Sequence, residues 1–185
     1  MLSWALKEWD VAVTALLQGD TILLMRKGGI REQQRQFRVA AHQVLLLPTF
    51  EHQDAALLKP DYQPLISAQN AEERREAVSF PGWAEITHVV SVPSDASALQ
   101  LLPYLVWNQQ FVEDRVNWQP ERPLYGLLLR TYRFEAPLTR PWHAGYGGCR
   151  SWVELGQAVA VDGSVPVIAE ADYQRQVEAI LATVS

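Results

Sequence analysis

Lysine is scarce in this chain. Only Lys7, Lys27 and Lys59 stand against thirteen arginines, and no lysine follows position 59. That gap bears on nuclease chemistry, because the usual restriction core places an acidic residue ahead of an (Asp/Glu)-x-Lys strand whose lysine polarises the attacking water. Asp61 could serve as the first acid, but the lysine that should follow is missing. Cysteine is scarcer still. Cys149 alone forbids an internal disulfide, and with four scattered histidines it makes no C-x-x-C or H-x-x-x-H set for a structural metal. No G-x-S-x-G, G-K-[S/T] or G-x-G-x-x-G occurs, which argues against a serine-hydrolase elbow, a phosphate loop and a dinucleotide-binding turn. No metal or cofactor is expected. No apolar run approaches the roughly 20 residues that cross a bilayer, and the start MLSWALKEWD lacks the basic and apolar regions of a signal peptide. The expectation is a cytoplasmic protein with no membrane partner.

What is present is a large apolar fraction and a local concentration of positive charge. At 185 residues and 48% apolar, one core and a single domain over 1–185 are expected. Residues 26–38 hold Arg26, Lys27, Arg31, Arg35 and Arg38 against Glu32, in a chain of net charge −5, so the other 172 residues carry −9. Arginine presents a planar fork suited to phosphate or carboxylate, whereas lysine is the side chain more readily tuned into a base or nucleophile. The balance points to binding over lysine-based catalysis.

Apolar spacing organises the chain into mixed elements. Trp4 to Leu17 has helical spacing ahead of a capping Gly19, although WDVAVTAL also alternates and Gln18-Gly19-Asp20 could turn a hairpin. Thr21 to Arg26 reads as a strand, Gly28-Gly29 as a turn, Phe37 to Val39 as alternating, and Val44 to Leu47 as an apolar run stopped by Pro48. Pro60 to Ser79 shows no core signal. Gly82 to Val92 alternates, with Ala84, Ile86, His88, Val90 and Val92 on one face and His88 read as a core histidine. Ser94 or Asp95 caps a helix, and Pro103 opens another whose face carries Tyr104, Trp107, Phe111 and Trp118. Leu124 to Glu135 and Arg150 to Leu155 read as strands, and Glu170 to Val184 as an amphipathic terminal helix. Strands interrupted by helices without regular βαβ alternation imply an α+β fold: a curved sheet or small β-barrel with flanking helices and a C-terminal helix.

Two resemblances appear in these segments. ALKEWDVAVTALLQGDTILLMRKGGI, LLLPTFEHQ and PLYGLLLRTYRF resemble a bacterial family known as domain of unknown function 1802, over nearly the whole chain. That resemblance implies an association with Mrr-type restriction endonuclease domains, hence a nuclease partner and a role near DNA restriction or modification. The order of elements, from Gly19-Asp20-Thr21 through GWAEITHVVSV to GYGGCRSWVEL, is similar to PUA-like domains and in particular the ASCH group. Such domains are mostly nucleic-acid binders, some of them readers of modified bases, and a few are hydrolases of modified nucleosides. The hydrolases place a lysine before the threonine that matches Thr21, where this chain has Asp20, so only Thr21 carries over.

Candidate residues follow from chemistry. Arg26, Lys27, Arg31 and Arg38 beside the flexible Gly28 and Gly29 are the candidates for phosphate, since guanidinium forks and glycine N–H groups can approach it together. Trp83, Tyr132 and Trp152 are the candidates for base stacking, with Tyr125, Trp142 and Tyr146 as further aromatics near turns. Tyr132 lies beside Arg130 and Arg133, and Trp152 near Arg150. Glu51 and His52 form the best acid and base pair in sequence, and with Thr21 they are the weak catalytic candidates. Cys149 reads as a small buried residue.

The leading expectation is a non-catalytic module that recognises RNA or DNA, with or without base modification, through a cationic hairpin and cleft aromatics. A hydrolase of a small modified nucleoside or amide is the alternative. A subunit that binds an acidic protein partner is the third reading.

Overall fold

The structure, a computed structural model, describes residues 1–27, 31–33, 36–66, 76–148 and 150–184, with backbone alone over 31–33 and 36–38. Nine strands and four α-helices occur among the described residues. In chain order they are β1 (Leu2–Trp9), α1 (Asp10–Gln18), β2 (Leu23–Lys27), β3 (Arg31–Gln33), β4 (Gln36–Arg38), β5 (Gln43–Thr49) and β6 (Ala77–Val92). Then come α2 (Asp95–Gln100), α3 (Gln109–Asn117), β7 (Leu124–Pro141), β8 (Trp152–Val159), β9 (Val165–Pro166) and α4 (Glu170–Val184).

The expected mixed α+β class with a curved sheet and terminal helix is what forms. One sheet runs β2-β7-β6-β5-β1-β8, with β9 added to β7, and β3 and β4 make a separate hairpin. Every pairing in the large sheet is antiparallel except β1 with β5, where Lys7 lies opposite Leu47 and Trp9 opposite Thr49. Successive strand residues point to opposite faces, and both faces are covered. On one face Leu6, Val44, Leu46, Ala84 and Ile86 join the main core with residues from all four helices. On the other, Ala5, Leu45, Leu47, Phe80 and Trp83 join a smaller core with Tyr146, Val153 and Leu155.

The sheet curls until its flanks meet. Arg26 on β2 and Glu8 on β1 belong to strands separated by β7, β6 and β5, yet Arg26 Nη2 lies 2.8 Å from Glu8 Oε2. The same guanidinium donates to the Lys7 carbonyl at 3.0 Å and to Ser151 Oγ, just before β8, at 3.2 Å. Arg115 of α3 sits within electrostatic reach of the pair. Burial pushes its guanidinium below the ordinary value, Glu8 opposing that shift and Arg26 reinforcing it.

Several elements differ from the sequence expectation, for physical reasons. The first segment is a strand followed by a helix. Residues 2–9 are claimed by hydrogen bonds to β5 and β8, and helical spacing governs only from Asp10, where Gly19 does end the helix with φ +82°. β5 continues through Pro48 to Thr49. β6 begins at Ala77, five residues early, because its start pairs with the far end of β7 and buries Phe80 completely. Pro81 falls at a register shift, where a missing N–H is tolerated. Gly82 is required there, since a Cβ would collide with the Tyr132 carbonyl oxygen. A second shift between Ile86 and His88 breaks the expected alternation, leaving His88 half-buried with Nδ1 2.9 Å from Thr87 Oγ1. The helix expected from Pro103 is a 3-10 turn over 102–104 and a separate α3, capped by Asn108 and stacking Phe111 on Trp107 at 4.6 Å. Trp118 lies beyond α3 and is exposed. Cys149 lies outside the described residues.

The seam makes a stability prediction. Removing one member of a buried ion pair costs about 3–5 kcal/mol, because the survivor stays buried without compensation. Glu8→Ala should therefore destabilise the chain by about that much in urea unfolding, and Glu8→Leu combined with Arg26→Met by clearly less than the two single losses together. A Glu8→Ala cost below about 1 kcal/mol would mean that the pair does not hold the seam.

Candidate functional site

The principal cleft lies where the parallel strands β1 and β5 end side by side. β1 passes directly into α1, and β5 into Phe50 and Glu51, so both carboxyl ends open onto one side of the sheet. Asp10, Val13, Thr14 and Leu17 all line the cleft, at the spacing that puts helix residues on one face. Opposite stand the start of β6, from Ala77 to Pro81, and Thr139 of β7. Beyond β7, Trp142, Tyr146 and Gly147 close the third side, giving a volume of about 930 Å³.

The 142–148 loop is held by identifiable contacts. The backbone N–H of Trp142 donates to Glu76 O at 2.9 Å. Lys7 Nζ donates to Tyr146 O at 2.9 Å and to Gly148 O at 3.0 Å, so an ammonium on β1, paired on both sides by β5 and β8, fixes the loop. The Tyr146 ring is buried, 3.9 Å from the His143 ring and edge-on to Phe80. Burial raises its hydroxyl above the ordinary tyrosine value, with Arg140 working against that rise. Arg140 is exposed and follows the lining residue Thr139 in β7. Trp142 is 41% exposed, the most open aromatic of the lining.

Among the described residues the charged lining groups are one cation, Lys7, and two anions, Asp10 and Glu51. Glu51 is exposed and makes no hydrogen bond or ion pair among the described residues. Among the described residues no three histidine, cysteine or acidic side chains cluster as metal ligands do. Mostly apolar walls with a few placed polar groups are the usual make-up of a small-ligand pocket.

The residues singled out from sequence fall in four places. Arg26 is committed to Glu8 at the seam, and Lys27 donates to the Val116 carbonyl at the end of α3. Arg31 and Arg38 are cross-strand partners in the β3–β4 hairpin, while Gly28, Gly29 and Arg35 lie outside the described residues. Trp83 and Tyr132 stack on each other at 4.2 Å and 5°, with the Trp83 indole N–H donating to Ser164 Oγ, and Trp152 packs against the main core. None of these three lines the cleft. Of the catalytic candidates, Glu51 lines it. His52 is exposed at the following turn with φ +62°, and Thr21 is buried, donating to Tyr104 O at 2.7 Å and accepting from the Leu23 N–H.

Sequence reasoning missed Lys7, Asp10 and Thr14. The signal for Lys7 was the adjacent pair Lys7-Glu8 inside a strand whose other residues, Ser3 apart, are apolar. For Asp10 and Thr14 it was two polar residues on one face of a helix whose other positions, up to its last residue Gln18, are apolar. Trp142 and Tyr146 were among the wider set of aromatics near turns.

The family model described as Domain of unknown function (DUF1802) matches residues 5–179. The chain belongs to the DUF1802 family. As expected from the three strings of sequence, the match spans nearly the whole DUF1802 chain, β1 through α4. No curated protein matches it. Two solved structures are similar, crystal structures of two mutant forms of ZmASCH from Zymomonas mobilis, the group that the order of elements resembles. Each is 13% identical to this DUF1802 chain, covering 95% of it and 96% and 94% of theirs, with TM-scores of 0.44 and 0.43. At such scores the likeness supplies no argument about the site. Among the described residues, no helix is long and apolar enough to cross a membrane.

The Lys7 contacts predict a local effect. Lys7→Met keeps the aliphatic stem but removes two charge-assisted hydrogen bonds, each worth about 1.5–3 kcal/mol. Amide exchange over 144–148 should quicken far more than exchange in β6 and β7. Unchanged protection of that loop would contradict its being latched by Lys7.

Proposed function

We propose that this chain is a non-catalytic recognition module for nucleic acid or a modified nucleotide, and that one base enters the cleft between α1 and the β6–β7 ribbon. The carrying observation is the cleft itself. It has room for a nucleoside, an open indole at Trp142 for the base to stack on, and a small set of polar groups at Lys7, Asp10, Thr14 and Glu51 to fix its edge. The phosphates would stay outside, with Arg140 as one contact. The cationic segment is a further phosphate contact on this reading, but Arg26 and Lys27 already have internal partners. Of the sequence candidates, that role passes to Arg31 and Arg38, cross-strand partners in the β3–β4 hairpin. The nuclease partner implied by the family resemblance would supply any cleavage, since the lysine of a restriction core is missing from the chain.

Glu51 motivates a second reading, hydrolysis of a small modified nucleoside or amide, since it lines the cleft together with Lys7, Asp10 and Thr14. Turnover that disappears in Glu51→Gln with the fold retained would favour it over recognition alone.

Fluorescence anisotropy against single-stranded RNA, duplex DNA and base-modified duplex DNA, each at two salt concentrations, tests the recognition reading. Binding should weaken with salt, because contacts to phosphate release counterions. Stacking on an aromatic ring is worth about 1–3 kcal/mol per base, so Trp142→Ala should weaken binding roughly tenfold. Arg140→Glu should weaken it and flatten the salt dependence. Failure to bind any of the three at low salt would reject this reading in favour of a protein partner.

A further inference from the structure

We infer that the cleft selects a nucleobase carrying a fixed positive charge, such as one alkylated on a ring nitrogen, over a neutral base of the same size. The inference rests on the base-binding reading above and concerns which base is held. Three observations carry it. The open wall of the cleft is the Trp142 indole, 41% exposed, and tryptophan is the best of the aromatic faces for a cation. Among the described lining residues Lys7 is the one cation, and its ammonium already donates to the Tyr146 and Gly148 carbonyls. Glu51, on another wall, has no hydrogen bond or ion pair among the described residues.

The charge arithmetic follows from these positions. A neutral base filling the cleft would strip water from the Glu51 carboxylate and give it no counter-charge, an unfavourable exchange. A cationic ring stacked on Trp142 supplies that counter-charge and gains from the indole face at the same time. Among the described lining residues the two carboxylates of Asp10 and Glu51 outnumber the single ammonium of Lys7, a balance that favours a cation over an anion. Arg140, exposed and within electrostatic reach of the lining Tyr146, is available to the phosphate that follows the base.

The two isomers 1-methyladenosine and N6-methyladenosine separate charge from size, the first being a cation at neutral pH and the second neutral. Binding of each nucleoside to the full chain can be followed by quenching of tryptophan fluorescence and checked by calorimetry. The expected result is a preference of about tenfold or more for the cation, cut to about threefold or less in Glu51→Gln, with both isomers weakened in Trp142→Ala. Equal affinities that still fall in Trp142→Ala would overturn the charge selection and leave base binding in the cleft standing. No binding of either isomer, in wild type and variants alike, would overturn both.

Discussion

The ion pair between Glu8 and Arg26 is the constraint on which the rest of this structure depends. An open sheet of this length would leave β2 and β8 as distant edges, but the guanidinium on β2 reaches a carboxylate, a backbone carbonyl and a serine hydroxyl on the other flank. Each charge is largely removed from water, so neither is tolerable alone. The curvature that brings them together also sets how the four helices cover the main core. Nearby Arg115 adds a second guanidinium to one carboxylate, which makes Glu8 the member that this cluster can least lose.

Neighbouring residues on one strand then divide two tasks. Glu8 faces the seam, while Lys7, one position earlier, faces the smaller core and fixes the loop that walls the cleft. The period of two along a strand makes this division inevitable once both faces of β1 are covered. The parallel pairing of β1 with β5 completes the arrangement, since it places two strand ends and the start of α1 at the same opening. The cleft is a consequence of the topology, and its chemistry is set by the side chains that happen to stand at those ends.

Much of the fold was legible because long, strongly patterned segments dominate it. The terminal helix forms as read, with Tyr173, Val177 and Ile180 buried, and the two long strands include the segments where alternation and apolar runs place them, β6 starting five residues earlier and β7 running six residues further. The errors came where tertiary contacts overrode local spacing. Residues 4–9 carry an apolar pattern compatible with either element, and only the hydrogen bonds offered by β5 and β8 decide it. The bulge at Thr87 could not be anticipated, because nothing in the alternation of β6 marks it. The site was less legible for a different reason. A run of arginines is conspicuous in sequence, but Arg26 has a buried internal partner, and stacking candidates such as Trp83 and Tyr132 satisfy each other. Lys7, Asp10, Thr14 and Glu51 come together only through the topology.

The account therefore centres on the cleft, with a base held against Trp142 and the phosphates left at its rim. Seven tryptophans make that claim directly readable in solution. Their indole N–H resonances, assigned by substitution, can be followed by nuclear magnetic resonance as a short single-stranded RNA containing 1-methyladenosine is titrated in. The account predicts that the Trp142 resonance moves in step with binding while those of Trp83 and Trp152 stay in place. Movement of Trp83 or Trp152 with Trp142 unchanged would contradict it, and would put the ligand on the strands that the cleft leaves behind.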